Sequence, residues 1–158
     1  MRITKQLAKQ LKEVHFGGNW TASDLKKQLN DVNWKEANIQ IYSCNSIGTL
    51  VYHMNYYIRT VTRVLQGHSL ESKDSESFKH PPIDSAETWS KAQRQFFEEA
   101  RIFEALLQEL PEDSLWEDFT DQKYGHYYRN LMGIIEHFYY HLGQIALIKK
   151  IIKSDHWS

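Results

Sequence analysis

The segment His137-Phe-Tyr-Tyr-His141 sets two imidazoles four residues apart. An α-helix advances about 100° per residue, so positions i and i+4 share a face and lie one turn apart. Such a pair suits two ligands of one transition ion, since imidazole nitrogen binds Zn²⁺, Ni²⁺, Fe²⁺ and Cu²⁺. Two ligands need at least a third. His53 offers it, within the strongly helical stretch Leu50-Val-Tyr-His-Met-Asn-Tyr-Tyr-Ile58. The expectation is a mononuclear metal site of His53, His137 and His141 across two helices, with coordination positions left open.

The elements that must position these rings are helical. On a wheel of the last helix, His137 and His141 share a stripe with Asn130 and Ile148, flanked by Gly133, Ile134, Gln144 and Ile145. The rings thus face inward, where a polar group without a partner is costly. Glu136 is rotated about 100° from His137 and points elsewhere. Around His53 stand Thr49, Tyr57 and Thr60, each able to hydrogen-bond near a metal, including to an imidazole N–H. The competing reading is ordinary: an inward histidine can be a hydrogen-bonded core residue, and HxxxH arises by chance in a chain with eight histidines.

Other metal and catalytic motifs are excluded. HExxH fails because Phe138 follows His137, and HxxEH fails because Tyr140 precedes His141. A di-iron bundle needs Glu-x-x-His on two helices, and no glutamate here has a histidine three residues later. There is no GxSxG, P-loop or GxGxxG. His15, His68, His80 and His156 read as loop or solvated residues, and His126 as a residue near the mouth of the pocket. Cys44 is the one cysteine, which excludes an internal disulfide and a CxxC framework and is expected to be buried and structural. Tyr124, Tyr127, Tyr128, Tyr139 and Tyr140 read as packing residues with hydroxyls reaching solvent.

Along the chain, residues 2–14 form a helix on Ile3, Leu7, Leu11 and Val14, stopped at Gly17-Gly18. Thr21 or Ser23 is expected to cap a segment holding Leu25 and Leu29, and Asn33 a short turn at Trp34. Residues 38–45 are ambiguous, with Ile39, Ile41 and Tyr42 compatible with a short strand. Ser46 caps a helix to about Gln66, stopped by Gly67. Residues 67–85 form a polar crossover in which Phe78 and Ile83 can dock. Ser85 opens the third long helix with a capping box through Thr88 or the neighbouring Glu87, and Pro111 follows its end. In Glu112-Asp-Ser-Leu-Trp-Glu-Asp118 and just after it, Trp116 and Phe119 are expected to pack down. The last helix spans about 127–153, with Lys149, Lys150 and Lys153 complementing its negative end. The result is an all-α four-helix bundle with a long crossover, one domain over 1–158.

Composition bounds the rest. Hydrophobic residues at 41% and charged residues at 25% describe an ordinary globular chain able to bury a core. A net charge of -1 gives no electrostatic footprint for nucleic acid or an anionic membrane, so neither is expected as a partner. No apolar run approaches the roughly 20 residues of a membrane span, and the first residues lack a signal-peptide apolar region. With one cysteine, the expected location is the cytoplasm.

The tail Glu136-His-Phe-Tyr-Tyr-His-Leu-Gly-Gln-Ile145 resembles the last-helix signature of the DinB-like superfamily of four-helix-bundle metalloproteins, and Thr49-Leu-Val-Tyr-His53 resembles its second-helix segment. The helix lengths and the crossover also fit, so the resemblance spans nearly the whole chain. It implies a metal, zinc or nickel, held by His53, His137 and His141, and a homodimer. It further implies a metal-dependent enzyme, either a hydrolase or a transferase using a low-molecular-weight thiol, with a role in detoxification or stress response and a small-molecule substrate. The alternative is a non-catalytic metal-binding or dimeric stress-related interaction protein. Tyr57 is the candidate proton donor or pocket hydroxyl, and Gln144 the residue orienting a polar group. Asn19-Trp20 and Lys123-Tyr-Gly-His-Tyr-Tyr-Arg129 are segments that shape the pocket.

Overall fold

The computed structural model of the chain describes residues 2–154. Among these residues there are six α-helices, three short 3₁₀ turns and no strand. Helix α1 (Ile3–Phe16) buries Leu7, Leu11 and Val14 on one face and ends where Gly17 takes φ 99°. Asp24, rather than Thr21 or Ser23, caps α2 (Leu25–Leu29) by accepting from the Lys27 N–H at 2.8 Å. Thr21 is spent on Asn19 instead, donating to its Oδ1. Asn33 and Glu36 form a reciprocal capping box at α3 (Trp34–Ala37).

The possible strand over 38–45 is absent. Tyr42 sits at φ 49° and the Cys44 N–H bonds back to the Ile41 carbonyl at 2.9 Å, a local turn. The alternation is unequal as well: Ile41 is buried while Ile39 and Tyr42 are exposed, and among the described residues no neighbouring strand offers a ladder.

Helix α4 (Ile47–Leu65) starts on Ser46, whose hydroxyl accepts from the Thr49 N–H. Its end is a Schellman motif. The Gly67 N–H reaches the Val64 carbonyl at 2.9 Å and the His68 N–H the Arg63 carbonyl at 3.0 Å, with Gly67 at φ 88°. Helix α5 (Ala86–Glu109) opens on the Ser85–Thr88 capping box, and α6 (Tyr127–Lys153) closes the fold. Helix α1 packs on α5 and α6, and α4 packs on the same two, so the four long helices ring a common core. Phe96, Phe103 and Phe138 are the largest of its fully buried side chains.

Three features adjust the sequence-based picture. Lys149 and Lys153 do more than complement the helix end. Lys149 pairs with Asp31 and donates to the Gln28 carbonyl at 3.0 Å, and Lys153 meets Glu36 at 2.8 Å, so they fasten α2 and α3 to α6. Trp116 is 55% exposed, whereas Leu115 and Phe119 carry the packing of that loop. The crossover forms a strap over α4. Ile83 lies so close to Gly48 that a Cβ there would stand 2.6 Å from Ile83 Cδ1 and 3.1 Å from the Ala37 carbonyl. Asn38 tethers the same point by donating to the Ile83 carbonyl at 2.7 Å.

Candidate metal centre

Helices α4 and α6 are in direct contact, and the inward stripe predicted on each supplies its histidines to the same point. Nε2 of His53 lies 3.0 Å from Nε2 of His137, which lies 2.8 Å from Nε2 of His141. One ligand nitrogen from each ring falls within 4.8 Å of the other two. Two nitrogens held about 2.1 Å from one ion stand about 3.0 Å apart at a right angle and about 3.4 Å apart at the tetrahedral angle. The His53–His137 and His137–His141 spacings are close to the right-angle value.

The hydrogen bonds behind the rings fix which nitrogens carry protons. Nδ1 of His53 lies 2.8 Å from the Ser77 hydroxyl, which itself donates to the Asp74 carbonyl at 2.6 Å. With its proton committed, the hydroxyl can only accept, so His53 carries hydrogen on Nδ1 and a bare lone pair on Nε2. Nδ1 of His141 donates to Oε1 of Gln144 at 2.6 Å, which bares its Nε2 in the same way. His137 lies between these two lone pairs. Its one proton on Nε2 would satisfy one neighbour and leave the other facing it unbonded, while its buried Nδ1 has no partner among the described residues. A cation resolves the arrangement by accepting all three lone pairs.

Charge reinforces this. Burial, then the neighbouring rings, lowers His53 and His137 to about 4, and burial lowers His141 against a bond to Gln144 that raises it. The imidazoles are therefore neutral at pH 7, the state in which they coordinate a metal.

The strap contributes what sequence reasoning missed. Helical spacing offers Thr49, Tyr57 and Thr60 to hold an imidazole N–H, but the residue that does so is Ser77, fully buried and 24 positions from His53. Thr49 bonds to His80, and Thr60 to the Tyr56 carbonyl. Phe78, next in the strap, stacks on the His53 ring at a centroid distance of 4.2 Å. Nothing in local periodicity marks Ser77; only a serine-rich crossover long enough to return over α4 hints at it.

Tyr57 lies beside the cluster, its ring 5.1 Å from those of His53 and His137. Its hydroxyl donates to Asp74 at 2.5 Å, and burial together with that bond pushes it up to about 12. Gln144 orients the His141 ring itself. A cavity of about 450 Å³ opens beside the histidines, lined by His53, Tyr57, Asp74, Arg129, Glu136 and His137 among others. Glu136, which the wheel turned away from the site, forms part of this cavity's wall.

The remaining histidines divide. His15 is a correction: it is fully buried between Phe96 and Phe138, with Nδ1 donating to the Leu11 carbonyl at 2.7 Å. It belongs to the last turn of α1, before the glycines, and so lands in the core. His68 is exposed, and His80 braces the strap against Thr49. His126 is exposed at the start of α6 and does not line the cavity. His156 lies outside the described residues. Cys44 is exposed rather than buried, because it sits on the turn that replaces the expected strand.

Among the described residues, no helix is long and apolar enough to cross a membrane. Comparison with family models, with curated proteins and with solved structures finds no match to this chain.

Proposed function

We propose that this chain is a small metal-dependent enzyme of DinB-like type, with a mononuclear zinc or nickel site on His53, His137 and His141. The observation that carries the reading is the meeting of Nε2 atoms from three neutral rings beside an open cavity. A structural zinc site is closed by four protein ligands, whereas three with an adjoining cavity leave room for water or substrate. A bound divalent ion makes a nucleophile available near neutral pH, by lowering the pKa of water or holding a thiol as thiolate. The reaction class is hydrolysis or transfer of a low-molecular-weight thiol to a small molecule, in detoxification or stress response.

The chain's own residues have definable tasks in that reading. Gln144 and Ser77 hold the His141 and His53 rings in the tautomer that points Nε2 inward. Tyr57 and Asp74 share a proton at the cavity edge, where a substrate group that displaces the pairing can receive it from the tyrosine hydroxyl. Phe78 shields one face of His53 from water.

The test is elemental analysis of protein purified without chelator or histidine tag, followed by thiol-conjugation and hydrolysis screens. The expected result is one metal per chain, reduced sharply by His53→Ala, His137→Ala or His141→Ala. Unchanged stoichiometry in these variants would overturn the site. A second reading, a dimeric and non-catalytic metal protein, is favoured by Tyr140 and Leu147, exposed on one face of α6 at 64% and 61%. A fully loaded dimer by light scattering, with no turnover in either screen, would support it.

A further inference from the structure

The strap crosses α4 at its 3₁₀ turn, Asp74–Glu76, and is fastened there to three residues on one face of the helix, His53, Tyr56 and Tyr57. Nδ1 of His53 donates to the Ser77 hydroxyl, and the Tyr56 hydroxyl accepts from the Lys73 N–H at 2.8 Å. Those two contacts already pin the turn. Tyr57 adds a third of another kind, donating its hydroxyl to Oδ1 of the Asp74 carboxylate. A latch needs no charge at this place, yet one is held there.

The carboxylate so held belongs to the histidine cavity. Asp74 lines it together with His53, Tyr57 and His137, and its negative charge is felt at both histidines. It does not join the three nitrogens that lie within 4.8 Å of one another, so it stands beside the metal position and outside the ligand set. Its Oδ2 has no hydrogen bond or ion pair among the described residues. Asp74 is also exposed, so a proton taken up there can pass on to solvent. Glu136, the other carboxylate in the wall, has no bond to orient it among the described residues. An oriented carboxylate with one free oxygen, beside a site that can bind a nucleophile, has what a general base needs.

We propose that Asp74 is the proton acceptor of this cavity, an inference that rests on the metal site proposed for His53, His137 and His141. A thiol or water entering the cavity gives its proton to Oδ2. The S–H or O–H bond breaks, its electron pair stays on the sulfur or oxygen, and the carboxylate becomes the acid until solvent takes the proton. Tyr57 is the positioning residue. It keeps its own proton in this step and holds Oδ1, which leaves Oδ2 to do the accepting.

The test uses the full chain loaded with Co²⁺ and 2-mercaptoethanol as the probe, whose sulfur gives an intense absorption on binding cobalt. Stopped-flow rates of that absorption are read between about pH 6 and pH 8, below the thiol's own pKa. Thiolate is the metal ligand, and without a base its supply rises about tenfold per pH unit. With Asp74 in place the rate is expected to rise less than about threefold per unit. Asp74→Asn keeps an acceptor for the Tyr57 hydroxyl, and so keeps the latch. It should nevertheless restore the steep slope and slow the reaction at the acid end about 100-fold, with cobalt content unchanged. Tyr57→Phe loses the latch but keeps the carboxylate, and should lower the rate while leaving the slope shallow. A steep slope in the unaltered protein, an unchanged slope in Asp74→Asn, or steepening by Glu136→Gln instead would overturn the assignment and leave the metal site standing. Failure to take up cobalt would overturn both.

Discussion

Lone pairs aimed at one another repel, so rings held as His53, His137 and His141 are held need either shared protons or a cation. Ser77 is the residue that bares the His53 Nε2 lone pair toward the other rings, because its hydroxyl proton is already given to the Asp74 carbonyl. Ser77→Ala leaves the His53 N–H without an acceptor while removing little volume. The expected outcome is a folded protein whose zinc affinity falls about 10–100-fold, measured by competition with a chromophoric chelator; a change under about twofold would show the bond to be irrelevant. His15 gives a second prediction at this scale, on stability. Burial lowers it from 6.5 to about 4, against a bond to Leu11 that raises it. The folded state therefore binds its proton less readily than the unfolded chain. Its contribution to stability is fully present above pH 6.5 and is lost as pH falls from there toward 4, by on the order of 3 kcal/mol. Denaturant melts of the metal-free protein across that window should show a shallower acid decline for His15→Leu than for the unaltered chain.

At the scale of elements, the strap over α4 is what makes two helices into a site. It carries Ser77 and Phe78 to His53 and is pinned by Ile83 against Gly48. Glycine inside a helix ordinarily costs about 1 kcal/mol relative to alanine, and at Gly48 the close approach of the strap is the reason to bear it. Gly48→Leu should destabilise by about 1–3 kcal/mol through overpacking and should also weaken metal binding, since the strap must shift. Gly143 in α6 supplies the contrast, since a methyl group added there would meet no atom within 4 Å. Gly143→Ala is expected to stabilise by up to about 1 kcal/mol with metal affinity unchanged. Urea melts of the two variants separate these outcomes by sign.

For the whole molecule, a metal shared by α4 and α6 would couple folding to binding, because the unfolded chain does not hold the three rings together. A metal present at about 1,000 times its Kd adds about 4 kcal/mol to stability, or about 8–16 °C in Tm for a chain of this size. Calorimetry with zinc and then with excess chelator should show that difference, and His137→Ala should melt at the same temperature in both. An unaltered chain indifferent to chelator would remove the link between site and fold.

Much of this molecule was legible in its residues. The inward stripes of α4 and α6, the caps at Asn33, Ser46 and Ser85, and the stop at Gly67 follow from helical periodicity and capping chemistry, which act within a few residues. The three histidines lie on those stripes, and the packing of α4 on α6 set them at one level. What local chemistry could not supply were the features set by long-range packing. The turn at 38–45 depended on whether a partner strand existed, and the burial of His15 on which helices closed over the end of α1. The choice of Ser77 over Thr49, Tyr57 or Thr60 was made by the path of the strap, because a side chain's hydrogen-bond partner is decided by where distant backbone arrives, and no spacing in the sequence encodes that arrival.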